Sequence, residues 1–198
     1  APESVSFNAD LEQLKKSVHD FEAEYKKAIL IKDAPIGENV KRLKKSIVSY
    51  EKILNSMGKL SGYATLHHVT ATNDPGRTKF YGDTQVKITE ISNKIIFYEL
   101  ELNSLSEKVL ENLLNDKELA AYKAWFENIR KYKPHQLSDE VEQIFHDKSM
   151  TSFSAWNRLF DQTISNMKVD MGGESKSLEE ALNYLLSPHE KDRKKAFL

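Results

Sequence analysis

Phe153, Trp156, Phe160, Ile164 and Met167 recur at intervals of three and four, and no other kind of pattern constrains this chain as tightly. A helix over Ser152 to Met167 would carry a broad apolar stripe on one face, and such a stripe needs a large covering surface. The same period runs through the chain. Leu11, Leu14, Val18, Phe21, Tyr25 and Ala28 predict a first helix that ends before Asp33-Ala34-Pro35, because proline disfavours helix in the residue before it. Val40, Leu43, Ile47, Tyr50, Leu54 and Met57 predict a second, and a short connection makes the two antiparallel neighbours in a bundle. Ile88, Ile91, Ile95, Tyr98, Leu102, Leu105 and Val109 form the cleanest stripe and predict one helix from about Asp83 to Asn115. At 1.5 Å per residue it would be about 50 Å long. A compact body of this chain length has a radius of gyration of about 16 Å, so the spacing predicts an elongated lobe or part of a larger body.

Between these stripes, Gly58 to Gly82 is less regular and reads as helix followed by loop, with a turn at Asn73-Asp74-Pro75-Gly76. Asp116 is placed to cap a helix carrying Leu119, Tyr122, Trp125, Phe126 and Ile129, which ends before Pro134. Ser138 is placed to cap a short helix with Val141, Ile144 and Phe145. Trp125 and Trp156 both read as core residues rather than ligand platforms. After Met167 the period changes from 3.6 to 2: Met167, Val169 and Met171 alternate with Lys168 and Asp170 up to Gly172-Gly173. That pattern predicts a strand entering a tight hairpin, with Glu174 to Lys176 returning. Ser177-Leu178-Glu179-Glu180 fits a capping box, in which serine and glutamate satisfy each other's backbone N–H groups. Ser187-Pro188-His189-Glu190 repeats the device with proline at the first helical position, and the helix it starts is expected to be still running at Leu198. The expected fold is mainly α, a bundle of long antiparallel helices with one small β-hairpin near residues 167–177.

Charge and composition exclude several function classes. The 29 basic and 30 acidic residues are interspersed and sum to a net charge of −1, so no electrostatic footprint for nucleic acid or an anionic membrane is present. Lys191, Arg193, Lys194 and Lys195 are interrupted by Asp192 and read as a solvated helix face. No cysteine is present, which rules out disulfides and suits a reducing cytosol. No apolar run approaches the roughly 18 residues needed to span a bilayer. The first residues, APESVSFNAD, lack the basic start and apolar core of a signal peptide, although the chain begins at Ala1 and an earlier segment is compatible with that.

The residues that could carry chemistry do not assemble into a motif. A zinc peptidase needs two histidines one helical turn apart with a glutamate beside the first, which aims both imidazoles at one metal and the carboxylate at its water. The six histidines are at 19, 67, 68, 135, 146 and 189; only His189 precedes a glutamate, and Arg193 stands where the second ligand would be. Paired Glu-x-x-His motifs for a di-iron bundle are absent. Adjacent His67 and His68 would point about 100° apart on a helix, which disfavours joint chelation. Glu142 and His146 share a face at i, i+4 and read as a solvated couple, and His135 reads as a backbone partner near the capped helix. No catalytic, cofactor-binding or metal-ligating residue is assigned.

The order and spacing of several short runs give the chain a specific resemblance. His135-Gln136-Leu137-Ser138 followed by Glu142, Ala155-Trp156 with Leu159-Phe160-Asp161 and Thr163, the hairpin, and Ser177 to Leu182 leading to Arg193 resemble the N-terminal portion of the oligoendopeptidase F family of zinc peptidases. Upstream, Phe97-Tyr98-Glu99-Leu100-Glu101-Leu102 and Ser61-Gly62-Tyr63-Ala64 also resemble runs of that family, and the likeness weakens before about residue 60.

This resemblance implies a cytoplasmic zinc metalloendopeptidase acting on short peptides, with zinc bound downstream by a His-Glu-x-x-His helix and a later glutamate. It implies that this chain supplies a helical lobe forming a wall of the substrate channel, without zinc and inactive alone. The implied division is a long-helix bundle over 1–115 and a helical segment with the hairpin over 116–198, continuing into a catalytic domain. Its partners would be that domain and, through the parent enzyme, short peptides, with no nucleic acid and no membrane. A chain ending inside a freshly capped helix fits this picture. The rival reading is a non-catalytic helical interaction module whose aromatic stripes bind a partner helix.

Overall fold

The computed structural model describes residues 5–197. Among the described residues, ten α-helices, three single-turn 3-10 helices and one two-stranded antiparallel sheet make up the regular structure. Helix α1 spans Val5–Tyr25 and α2 spans Ile36–Val69. Phe7 meets Tyr63 near one end of the pair and Phe21 meets Tyr50 near the other, so the helices run antiparallel. Their connection is held by backbone-directed side chains. Asn39 Oδ1 accepts from Ile31 N at 2.8 Å while its Nδ2 donates to Ile31 O. Arg42 donates to the carbonyls of Ala28 and Glu24, which satisfies acceptors that the end of α1 leaves without helical partners.

Helix α2 is the long rod of the fold. Its 34 residues span about 51 Å, and Gly58 and Gly62 do not interrupt it. The expected loop before Gly82 is shorter than the sequence predicts. Asp74 Oδ1 accepts from Gly76 N and Arg77 N, so Asn73-Asp74-Pro75-Gly76 is the capped start of helix α3, Pro75–Asn93. Proline at the first helical position has no N–H to leave unsatisfied.

The single helix predicted for 83–115 is divided into the end of α3, α4 (Ile96–Ser104) and α5 (Glu107–Leu114). At the first break, Lys94 N and Ile95 N bond three residues back, to Ile91 O and Ser92 O, and the helix tightens and turns. At the second, Leu105 adopts an extended ψ of 141° and Ser106 Oγ accepts from Val109 N. Periodicity alone missed this cap, because Leu105 and Val109 continue the apolar stripe across it. Arg130 secures the break. It donates to Asn103 O and Leu105 O at 2.8 Å each and pairs with Glu107.

A single apolar cluster runs from Phe7 to Ile129. It includes Tyr98, Leu102, Leu119 and Phe126, with Trp125 packed against it. Leu119 follows an Asp116 turn, and Phe126 and Ile129 lie on α6, Lys123–Arg130. Three aromatic rings meet at its centre: Phe21 lies 5.1 Å from Tyr98, edge to face, and Tyr50 lies 4.7 Å from it, tilted, while Ser46 Oγ lies 2.7 Å from the Tyr98 hydroxyl. Helix α7, Asp139–Ser149, packs on α3 and α4. Ser138 precedes it without a side-chain capping bond; Glu142 accepts from Leu137 N instead.

The hairpin forms as the alternation predicts. Strands β1 (Lys168–Asp170) and β2 (Ser175–Ser177) pair with Val169 opposite Lys176. Met171 N donates to Glu174 O at 2.8 Å, and Gly172 and Gly173 have φ of 73° and 92°. Positive φ at both central positions is the type I′ turn that matches strand twist, and only glycine adopts it without strain. The capping box also forms: Ser177 Oγ accepts from Glu180 N while Glu180 accepts from Ser177 N, starting α9, Leu178–Asn183. The second box does not. Helix α10 begins at Glu190 (Glu190–Phe197), Ser187 Oγ accepts from His189 N and donates to Asp192, and Glu190 pairs with Lys194. Leu198 lies outside the described residues.

Candidate functional site

The residues that define a candidate surface are apolar, and they face solvent. Helix α8, Phe153–Asn166, has no interior proline or glycine, and its apolar spacing places Phe153, Trp156 and Phe160 on one face. The exposure of these three is 73%, 70% and 65%. Trp156 is therefore not a core residue of this chain, as its spacing had suggested. Ile144 and Phe145 on α7, and Leu186 after α9, are exposed as well. Among the described residues, Met171 and Ala181 are the only buried apolar side chains after Ile129. Soluble chains rarely leave so many large apolar groups open within one stretch. Covering one aromatic or leucine side chain fully is worth roughly 1.5–3 kcal/mol, so three rings on α8 represent a large unused gain.

The runs that carry the family resemblance divide across this boundary. In Phe97 to Leu102, the side chains of Phe97, Tyr98 and Leu102 are buried, Glu99 accepts from the Tyr50 hydroxyl, and Glu101 accepts from Lys27 N at 2.8 and 3.0 Å. Burial pushes the Glu101 carboxyl above its ordinary range. Ala64 is buried and Ser61 Oγ accepts from Gln85 Nε2. Gln136 donates to Leu100 O. By contrast, Trp156 and Phe160 are largely exposed and Leu159 is half-exposed.

The histidines are dispersed. His67 stacks on Tyr63 and His68 on Tyr81, with interplanar angles of 4° and 7°, so the adjacent rings diverge. His146 Nε2 lies 3.2 Å from Ser92 Oγ, while Glu142 turns back to Leu137 N; the i, i+4 couple does not form. His19, His135 and His189 are exposed. Arg193 donates to Ser187 O and Pro188 O, so His189 and Glu190 mark a helix start. Among the described residues, no group of three or more His, Cys, Asp or Glu is placed to hold a metal ion. The zinc that the resemblance implies does not fit the residues present. No helix among the described residues is long and apolar enough to cross a membrane.

The chain is similar to several known proteins. Residues 101–168 match the Peptidase M3 N-terminal family model, described as oligopeptidase F. The chain is 26% identical over 163 residues to the oligoendopeptidase F homolog of Borreliella burgdorferi, a match covering 81% of this chain and 27% of that protein. It is 24% identical over 207 residues to oligopeptidase PepF of Bacillus subtilis, covering 99% of this chain and 29% of that protein. The chain thus spans less than a third of the length of these relatives. The crystal structure of oligoendopeptidase-F from Enterococcus faecium is similar over 97% of this chain and 37% of its own, with a TM-score of 0.76 at 16% identity. At that identity the likeness is one of fold.

Proposed function

We propose, from the premise that this is an oligoendopeptidase F-like chain corresponding to the N-terminal part of such a protein, that it serves as the helical lobe of a cytoplasmic zinc metalloendopeptidase. The lobe lines one wall of the channel that admits short peptides and excludes folded proteins by size. The zinc, the nucleophilic water and the general base belong to a catalytic part outside this chain, in keeping with the family resemblance; among the described residues no group of three or more His, Cys, Asp or Glu is placed to hold a metal. The bundle of 1–115, whose core also takes in Leu119, Phe126 and Ile129, is the rigid body of the lobe. The segment 116–198 joins it to the catalytic part.

The observation that carries this reading is the exposed aromatic face of α8. Trp156 and Phe160 belong to the runs that resemble the family, yet they are open to solvent. A docking role in a larger enzyme gives those side chains a use.

Amide hydrogen exchange on the 198-residue chain and on the parent protein tests the proposal. The parent is expected to contain stoichiometric zinc, cleave short peptides, and protect α8 and the end of α7 relative to the isolated chain. The chain alone is expected to bind no stoichiometric zinc and hydrolyse no peptide. A parent without peptidase activity, or with α8 still unprotected, overturns it.

A further inference from the structure

We propose that the outer face of the α1–α2 pair is a self-association surface, which takes a second, two-fold related copy of this chain to complete a four-helix bundle. The proposal rests on these two helices and not on the peptidase reading. Two recesses of about 390 and 270 Å³ lie end to end along this face and share Ser17 and Ser56. All of their lining residues belong to α1 and α2, so among the described residues no third element covers the groove.

The lips of the groove carry opposite charge. Asp10, Asp20 and Glu24 stand on α1, and Lys45, Lys52 and Lys59, seven residues apart, on α2; all six are exposed. The register set by Phe7 against Tyr63 and Phe21 against Tyr50 puts Asp10 across one recess from Lys59 and Asp20 across the other from Lys52. Glu24 and Lys45 close to an ion pair at 2.8 Å. Asp10, Asp20, Lys52 and Lys59 have no ion-pair partner among the described residues.

A groove with one acidic and one basic lip is complementary to itself, which is what an isologous contact requires. A two-fold axis parallel to the helices lays α1 of one copy over α2 of the other. Asp10 then meets Lys59 of the second copy, Asp20 meets Lys52 and Glu24 meets Lys45, each twice. Neighbouring helices alternate in direction, as in an up-down bundle. A two-fold axis across the helices lays α1 on α1 and sets acid against acid, so the charges also select the orientation. Ser17 and Ser56 are short enough to admit a partner helix between the lips. The face is about 27 Å long from Ser6 to Glu24 and two helices, about 20 Å, wide. Closing it buries roughly 1,100 Å² in all, the lower end for a specific interface. The dimer is therefore weak and salt-sensitive.

Sedimentation velocity on the 198-residue chain, over a concentration series at low and high salt, tests the proposal. A monomer–dimer equilibrium that weakens as salt rises is expected. Lys52→Glu with Lys59→Glu turns the basic lip mostly acidic, and Asp10→Lys with Asp20→Lys turns the acidic lip mostly basic. Each double variant alone is expected to dimerise at least about tenfold more weakly, since attractive pairs become repulsive. An equimolar mixture of the two is expected to recover the dimer, because each acidic lip then finds a basic one. All four positions are exposed, and unchanged thermal midpoints would show intact folds; should a double variant unfold, Asp10→Lys mixed with Lys59→Glu carries the same test. Dimers that both variants retain, or that salt strengthens, would place the contact on an apolar surface such as α8 and overturn the proposal. A chain that stays monomeric throughout, leaving the groove to another partner, or a mixture that fails to recover the dimer, would overturn it as well.

Discussion

Tyr98 is the residue on which the core is centred. Its ring lies among Phe21, Tyr50 and Phe97, and its hydroxyl lies 2.7 Å from Ser46 Oγ inside the bundle. Ser46 also donates to Leu43 O at 2.8 Å, so its hydroxyl hydrogen is committed to that carbonyl and its oxygen accepts from Tyr98. Removing one partner leaves a buried group unsatisfied. Tyr98→Phe and Ser46→Ala should each cost about 1–3 kcal/mol in urea unfolding, and the double variant should cost less than their sum. Burial also raises the phenol pKa of Tyr98 and of Tyr50, where Glu99 adds to the effect, and pushes Tyr25 up to about 12. The unfolded chain therefore loses phenolic protons at a lower pH than the folded chain. Stability contributed by the neutral phenols is fully present below about pH 10 and falls as the pH rises above it. Denaturant midpoints measured from pH 8 to 12 should decline from about pH 10, and Tyr50→Phe should flatten that decline.

Helix α2 carries two glycines that its geometry does not require. An added Cβ at Gly58 or Gly62 meets nothing within 4 Å, and neither has positive φ. Alanine at either site should raise stability by about 0.5–1 kcal/mol, since it reduces backbone freedom in the unfolded chain; thermal unfolding of the two variants checks this. Those glycines lie in a stretch that reads as helix followed by loop, and the helix holds to Val69 with Leu60 and Ala64 buried. The loop is shorter than expected because Asp74 caps α3 at Pro75. The opposite error occurred at Ser106, where a strong apolar stripe hid a helix start fixed by Arg130 from a distant helix. Caps formed by neighbouring residues, such as Ser177 with Glu180, and the Gly172-Gly173 turn were legible because all their partners lie within a few residues. The Arg130 contacts to Asn103 O and Leu105 O were not, because these residues meet only through the fold.

At the scale of the molecule, burial stops where the sequence still shows apolar periodicity. The stripe on α8 announced a covered face, and the cover is not supplied by residues 5–197. Trp156→Ser should therefore change the unfolding free energy of this chain by less than about 0.5 kcal/mol. In the parent protein it should lower the thermal midpoint, a contrast that calorimetry on both reads directly. Ordering of the core along the chain has a further outcome. Every member of the main cluster lies between Phe7 and Ile129, so the bundle can close during synthesis before the bare rings of α8 have left the ribosome. Synthesis proceeds from the N-terminus, and the sticky segment emerges onto a finished platform instead of a disordered tail.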